Sequence, residues 1–442
     1  MSIEHWMMFG TFAEQRHFEY PARGTYQGVV INANMAAHAP AGLAAFLLEK
    51  TAGMRYIVDP LTHAFQHDPE VICDEEGQPK AAIKSLADFY GDPIAKYVGK
   101  RPVLPKYFES DEVLRAFTEN CVKFQRDHLK RYMEEHDAAK YLDDGECSPP
   151  YAVVAPYFYL TETSYEDWLP VVVRAAQFAK NFVAAGTKVF SSAVVSQGIL
   201  VSEEARAEVA KAFAKAPLDG LIFWADNLDE QTASRLELKG MLDLVARLRN
   251  GKREVINLHG GFFSILAAGA LGGGKLFTGV THGPEFGEFR GVVPVGGGIP
   301  IARYYVPRMH ARMRYRDAQR IFNELGWLKD AATFHDKVCQ CDECRSVIDG
   351  DIDNFTLFGD GNVKNVRRKH GIVRIEFPTG DTKLRCLRHY LQRKTLEYKA
   401  AVELEPKKLL AELESGASQF EDVAGLEAVS HLREWHRIFS GK

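Results

Sequence analysis

Three cysteines fall within six residues, Cys339-Gln-Cys341-Asp-Glu-Cys344. Thiolates at that spacing suit the corners of a tetrahedral zinc site, which takes four nitrogen or sulfur ligands. The fourth must come from downstream, where Leu384-Arg-Cys386-Leu-Arg-His389 offers two candidates on one predicted helix. His389 is preferred, because a ligand on a rigid helix pins the cysteine-rich knuckle to the fold; Cys386 and His370 are the reserves. Four protein ligands leave no open coordination position, so the expected zinc is structural and does no chemistry. Reactive groups must be sought elsewhere.

A second set of residues could supply them, each placed just after a short apolar run. Asn32 and Asn34 follow the first such run, and Asp59, Thr62, His63 and Gln66 the second. Tyr157, Tyr159 and Glu162 end the third, Ser196-Gln197-Gly198 the fourth, and Trp224, Asp226 and Asn227 the fifth. His259-Gly-Gly261 ends the sixth, and Thr281-His282-Gly-Pro-Glu285 the seventh. Asp59 and Asp226 can attack or move protons, amides can read a planar ligand, and aromatics can stack on it. Glu285 and Glu288 are further carboxylates in the last loop, where pairing with a nearby cation is the alternative role.

The elements that must hold this ring are short β-branched stretches at 28–33, 55–59, 151–160, 188–195, 220–226, 254–259 and 275–281. Helical stretches such as 165–184 and 203–215 lie between them. Strand and helix at this cadence mean parallel βαβ units. Seven or eight of them predict an α/β fold, a (β/α)₈ TIM barrel whose site lies at the carboxyl ends of the strands. A Rossmann fold would need a Gly-rich turn after the first strand, and that turn is absent. The predicted layout is a barrel over 1–325, a zinc-binding subdomain with its helix over 326–400, and a helical tail over 401–442.

The chain has 442 residues, 46% of them hydrophobic, and a formal charge of -4. Residues 301–400 carry 20 Lys and Arg against 13 Asp and Glu, or +7, leaving -11 for the remainder. A basic segment on an acidic body fits a phosphate-backbone binder. Arg303, Arg308, Arg312, Arg314, Arg316 and Arg320 cluster within it, with Tyr304 and Tyr305 placed to stack on an unpaired base. A second basic run holds Lys364, Arg367, Arg368, Lys369 and His370. No apolar run approaches the roughly 20 residues of a membrane span. The start reads as no signal peptide, and Cys73, Cys121 and Cys147 are isolated, so a reducing cytoplasm and no membrane partner are expected.

A barrel followed by Cys-x-Cys-x2-Cys and a later His resembles the tRNA-guanine transglycosylase family. Tyr56-Ile-Val-Asp59-Pro-Leu-Thr-His63-Ala-Phe65-Gln66 is similar to that family's Asp-Ser-Gly-Gly-Phe-Gln strand end. Val194-Val-Ser-Gln197-Gly198 resembles its Val-Gln-Gly-Gly, and Leu218-Asp-Gly-Leu-Ile-Phe-Trp224-Ala its Phe-Asp-Gly-Tyr-Ala-Ile-Gly-Gly. The likeness runs in order over about residues 25–400. Two positions depart. Leu276-Phe-Thr278 has Thr where the family places its nucleophilic Asp, and Pro156-Tyr-Phe-Tyr-Leu replaces the purine-binding Asp. With the stretch from Glu288 through Arg290 to Arg303, these departures resemble most the DNA 7-deazaguanine transglycosylase branch.

The resemblance implies exchange of guanine in DNA for a 7-deazaguanine base of the preQ0 type, through a covalent carboxylate intermediate. It makes Asp59 the acid/base, or the attacking group if Thr278 vacates that role, with Asp226 the next candidate. Pocket recognition falls to Gln197, Trp224 and His259, with His63 and Glu285 beside them. Arg290, Arg303, Arg308 and Arg312 are the expected nucleic-acid contacts. tRNA is the alternative polymer, a non-catalytic nucleic-acid-binding subunit the alternative role, and other proteins of a DNA-modification system are further possible partners. A metal-dependent barrel hydrolase would want a His-x-His cluster after an early strand, and none is present.

Overall fold

Eight parallel strands close on themselves in the computed structural model, which describes residues 3–18, 25–51, 54–137, 149–250, 253–285, 287–293, 301–368 and 371–441. Cys147, Lys369 and His370 lie outside the described residues. The strands are β1 (Glu4–Phe9), β2 (Gly28–Asn32), β3 (Arg55–Asp59), β4 (Ala152–Val154), β5 (Tyr159–Leu160), β6 (Lys188–Val195), β7 (Gly220–Ala225), β8 (Glu254–Asn257) and β9 (Gly279–His282). Pairing of β1 with both β2 and β9, and of β4 with β6, seals the barrel; β5 adds to β6 at the rim.

The expected strand 151–160 is therefore two strands. Pro156 sits between them and has no N–H to give a ladder. A strand was also missed. Glu4–Phe9 alternates Trp6 and Met8 inward with Met7 and Phe9 outward, but it lacks the β-branched residues that advertise a strand. What reads as the seventh strand is thus the eighth to close the barrel. It starts at Gly279, so Thr278 lies at its amino end, where its Oγ1 donates to Val255 O at 3.1 Å and accepts from Val255 N at 3.0 Å. Thr278 stands at the floor of the barrel, away from the rim where a nucleophile would be needed.

The barrel interior is a separate apolar core of Trp6, Met8, Val30, Ile57, Val154, Phe190, Val194, Ile222 and Ile256. Its lowest layer alternates large and absent side chains: a Cβ at Gly28 would lie 2.3 Å from the Trp6 ring, and one at Gly220 2.4 Å from Phe190. Such filling makes the lower barrel solid, which leaves only its top for a ligand. Between β3 and β4 the chain makes a long helical excursion, including Pro69–Ile72, Ala81–Tyr90 and Asp111–Lys123.

After β9 come two antiparallel ribbons, β10 (Arg303–Val306) with β11 (Ala311–Arg314), and β12 (Gly361–Arg368) with β13 (Gly371–Pro378). The helix Gly380–Glu403 returns to the barrel wall, where Tyr398 OH donates to Val280 O at 2.9 Å. It runs three residues past the expected boundary at 400. The tail is two helices, Pro406–Ala424 and Leu426–Ser440, anchored by Trp435 Nε1 donating to Glu230 O at 3.0 Å. Among the described residues, no helix is long and apolar enough to cross a membrane.

Candidate active site and metal centre

Asp59 ends β3, and its register partner across the ladder is Asn32 at the end of β2. Both side chains therefore point into the barrel mouth. Asp59 is 1% exposed. Its Oδ1 accepts from Tyr157 OH at 2.5 Å and from Leu61 N at 3.1 Å, while Oδ2 has no partner. Leu61 offers that N–H by adopting φ 52°, a left-handed conformation that costs a branched residue about 1–3 kcal/mol. Burial pushes the Asp59 carboxyl up to about 6, against the lowering pull of Tyr157, Leu61 and Arg290. A carboxylate oxygen is thus held bare by a backbone strained to hold its twin.

The cavity over it has a volume of about 240 Å³. Asn32, Asn34, His63, His67, Trp224, His259 and Arg290 line it with Asp59, and Val71, Lys80 and Ile83 from the helical excursion cover it. No other carboxylate belongs to its lining among the described residues. His63 Nδ1 lies 3.0 Å from Tyr157 OH, so a donor line runs from imidazole to phenol to Asp59. The Trp224 ring stands edge-on to His63 at 5.2 Å and tilted to His259 at 5.1 Å, and its Nε1 donates to Arg290 O at 3.0 Å. His259 Nδ1 donates to Gly287 O at 3.1 Å, which leaves Nε2 as a buried lone pair with no partner. Asn34 Oδ1 is a third buried atom without one. Burial brings His63 and His259 each down to about 3, the Arg290 charge assisting, so both are neutral near pH 7.

Not every expected residue reaches this cavity. Asp226 is half-buried beside it, its Oδ2 accepting from Tyr159 OH at 2.7 Å and Oδ1 from Val292 N at 2.7 Å. Gln197 Nε2 donates to the carbonyls of Asp226 at 3.4 Å and Asn227 at 3.2 Å. Both brace the wall that carries Val292. Glu285 accepts from His17 Nε2 at 3.1 Å and its side chain is 56% exposed, away from the cavity. Glu288 is sealed against Lys394 at 2.6 Å and Tyr390 OH at 3.0 Å. His67, Val71, Lys80, Ile83 and Met8 line the cavity without having been singled out in the sequence. The one hint was the long gap between the strands ending at 59 and starting near 151.

A candidate metal centre lies across the helix Gly380–Glu403. Cys339, Cys341, Cys344 and His389 are all buried, with their ligand atoms within 4.8 Å of one another. His389 Nδ1 is 3.6, 3.3 and 3.3 Å from the three sulfurs. Its Nε2 donates to Tyr305 O at 2.7 Å, which fixes the tautomer that turns a lone pair toward the thiols. Cys386 stays outside, donating to Phe358 O at 3.3 Å. This donor set can hold a metal ion and suits zinc.

Tyr304 and Tyr305 cannot stack on a base, being 0% and 1% exposed. Tyr304 stacks on His389 at 4.2 Å, and Tyr305 OH donates to Glu397 at 2.5 Å. Of the first basic cluster, Arg308 bonds Gln419 at 3.0 Å and half-buried Arg312 bonds Glu285 O at 2.9 Å. Arg303 is exposed at the start of β10. The chain matches no protein-family model and no curated protein.

Proposed function

We propose that the chain is a base-exchange transglycosylase that replaces guanine in DNA with a 7-deazaguanine base, the zinc-type knuckle serving as a structural staple. One observation carries this reading: Asp59, the lone carboxylate lining a cavity at the mouth of a (β/α)₈ barrel among the described residues, keeps one oxygen free. A volume of about 240 Å³ falls below the roughly 300–1,000 Å³ of drug-sized pockets and suits one heterocycle. Such a base must be taken out of its stack to enter.

In this reading Asp59 Oδ2 attacks C1′ of the flipped nucleotide as the C1′–N9 bond breaks, and the bond electrons leave with guanine. Arg290 meets the growing negative charge of that base. The incoming base gives up its N9 proton, and its nitrogen displaces Asp59 from C1′. Neutral His259, with Nε2 open, and the His63–Tyr157 line are the groups able to take and return protons. The order of Asp59, Trp224 and the Cys₃His set along the chain supports the likeness to the transglycosylases, and the place of Thr278 at the barrel floor supports giving the attack to Asp59.

The test is incorporation of labelled preQ0 into guanine-containing duplex DNA and, in parallel, into tRNA. Incorporation into DNA, lost in Asp59→Asn, is expected. Preference for tRNA would shift the polymer, and no incorporation into either with DNA binding intact would leave only the non-catalytic subunit.

A further inference from the structure

The β12–β13 ribbon stands apart from the rest of the basic segment. Its strands pair over eight residues each, from Gly361 opposite Pro378 to Arg368 opposite Gly371. Directly opposed residues share a face, and faces alternate along a strand. One face therefore gathers Val363, Asn365, Arg367, Ile372 and Arg374, and all five are exposed, Val363 by 54% and Ile372 by 72%. Its single acid, Glu376, is paired with Arg316. The other face is partly closed: Ile375 is 9% exposed and Lys364 lies over the Phe377 ring at 5.9 Å.

Four of the six arginines of the first run, Arg308, Arg312, Arg316 and Arg320, bond protein groups; Arg303 and Arg314 are exposed beside the ribbon's base. The side chains of Arg367 and Arg374 have no hydrogen bond or ion pair among the described residues. A two-stranded ribbon alone in water is marginally stable, so one that holds free arginines and bare aliphatics outward is suited to a partner. The partner's charge must be negative.

We propose that this ribbon lies in the major groove of duplex DNA. The proposal rests on the nucleic-acid part of the reading above and goes beyond it in naming the surface and the helix form. A B-form major groove is about 12 Å wide and admits a two-stranded β-ribbon, whereas the A-form groove of duplex RNA is too deep and narrow for side chains to read. Eight residues at about 3.4 Å each span roughly 27 Å, about four-fifths of a turn of duplex. Arg367 and Arg374 meet phosphates or guanine edges, Asn365 an adenine edge, and Ile372 and Val363 thymine methyls. At the ribbon's base a groove of about 180 Å³ lined by Ile301, Arg314, Arg316 and Gly361 continues the basic surface toward β10 and β11.

The experiment is fluorescence anisotropy of the full chain with a labelled DNA duplex and an RNA duplex of the same sequence, over a salt series. Arg367→Ala/Arg374→Ala should weaken DNA binding at least tenfold and lower the salt slope by about two, since each phosphate contact contributes about 0.9. Both side chains are exposed, so an unchanged melting temperature is expected and is measured alongside. RNA duplex should bind at least tenfold more weakly than DNA. Unchanged DNA affinity in the double variant overturns the proposal, as does equal binding of RNA and DNA. Asp59→Asn separates the two readings: it removes base exchange and leaves the anisotropy curve in place. Loss of exchange there, with ribbon variants binding normally, sinks the ribbon and spares the site; ribbon-dependent binding without exchange in wild type does the reverse.

Discussion

The metal knuckle and the barrel cavity are made from the same kinds of side chain and treat them in opposite ways. At the knuckle the ligand histidine and the buried charges beside it are committed. His389 gives one nitrogen to Tyr305 and turns the other to three sulfurs, while the adjoining Lys394, fully buried, meets Glu288 at 2.6 Å and Glu397 at 2.8 Å. In the cavity, Asp59 Oδ2, His259 Nε2 and Asn34 Oδ1 are buried and bare. A buried polar atom without a partner costs about 1–3 kcal/mol, so three beside one cavity describe a place that a ligand completes. Satisfied clusters keep shape; unsatisfied ones recognise. Both regions meet at the rim, where a Cβ on Gly261 would lie 2.7 Å from a Glu230 oxygen and 2.9 Å from a Glu288 oxygen, so a side chain there would displace both carboxylates.

If the knuckle is purely structural, its loss should be felt in stability before chemistry. Structural zinc contributes about 10 kcal/mol or more to folding in small domains. Chelation, or Cys344→Ala, should release one zinc per chain by elemental analysis and lower the melting temperature by about 10 °C or more. A chain that melts unchanged after metal removal would break the comparison at its stronger end. Asp59→Asn should do the converse. Base exchange falls by about a thousandfold or more, about 4 kcal/mol of barrier, and the fold loses nothing because a buried charge has been removed.

Lys394 tests the committed side more finely. Lys394→Met leaves two buried carboxylates facing each other and should destabilise by about 3–5 kcal/mol in denaturant unfolding. Adding Glu288→Gln and Glu397→Gln should recover most of that loss. Failure to recover would mean that the helix Gly380–Glu403 is held to the barrel by something other than this ion-pair set.

The contrast also explains what the sequence could and could not show. Cys339, Cys341 and Cys344 fall within six residues at the start of the helix Asp342–Ile348, so ligand spacing is written locally, and His389 follows from a single helix. The barrel was legible because β2, β3, β6, β8 and β9 carry β-branched residues in pairs or runs and β7 is apolar throughout; β1 was not, because Trp6, Met7, Met8 and Phe9 fill the strand with large side chains that are not β-branched. Asp59 and Trp224 were legible as strand-end residues. Their relation to Gln197 and Asp226 was not, since a side chain at the rim can aim over the mouth or along the wall, and one residue of offset decides which. Nothing local marks His67, Val71 or Lys80, which reach the cavity only because a helical excursion folds back over it.

Titration separates the roles of Asp59 in stability and in catalysis. Its carboxyl moves from an ordinary 3.8 to about 6. A raised carboxyl contributes stability that is complete below about 4 and is lost as pH rises through 6. Wild type should therefore lose on the order of 3 kcal/mol relative to Asp59→Asn between pH 4 and pH 7. The attacking carboxylate must be ionised, so exchange should rise across the same window, with kcat/KM falling tenfold per unit below about pH 6. Parallel pH profiles of unfolding and rate check both signs; a rate that instead falls above pH 6 would make Asp59 the acid.

The smallest expected effect sharpens the boundary between wall and cavity. His259→Ala removes a bare acceptor from the cavity and should weaken binding of a free purine base about tenfold, within the 1–3 kcal/mol of an unmade buried bond. Gln197→Ala removes only two long bonds to backbone carbonyls outside the lining, and should change purine affinity less than about threefold. Calorimetry on the two variants decides it. A larger loss at Gln197 than at His259 would mean that the amide swings from the carbonyls of Asp226 and Asn227 into the mouth when a base enters, and that the wall is part of the recognition surface after all.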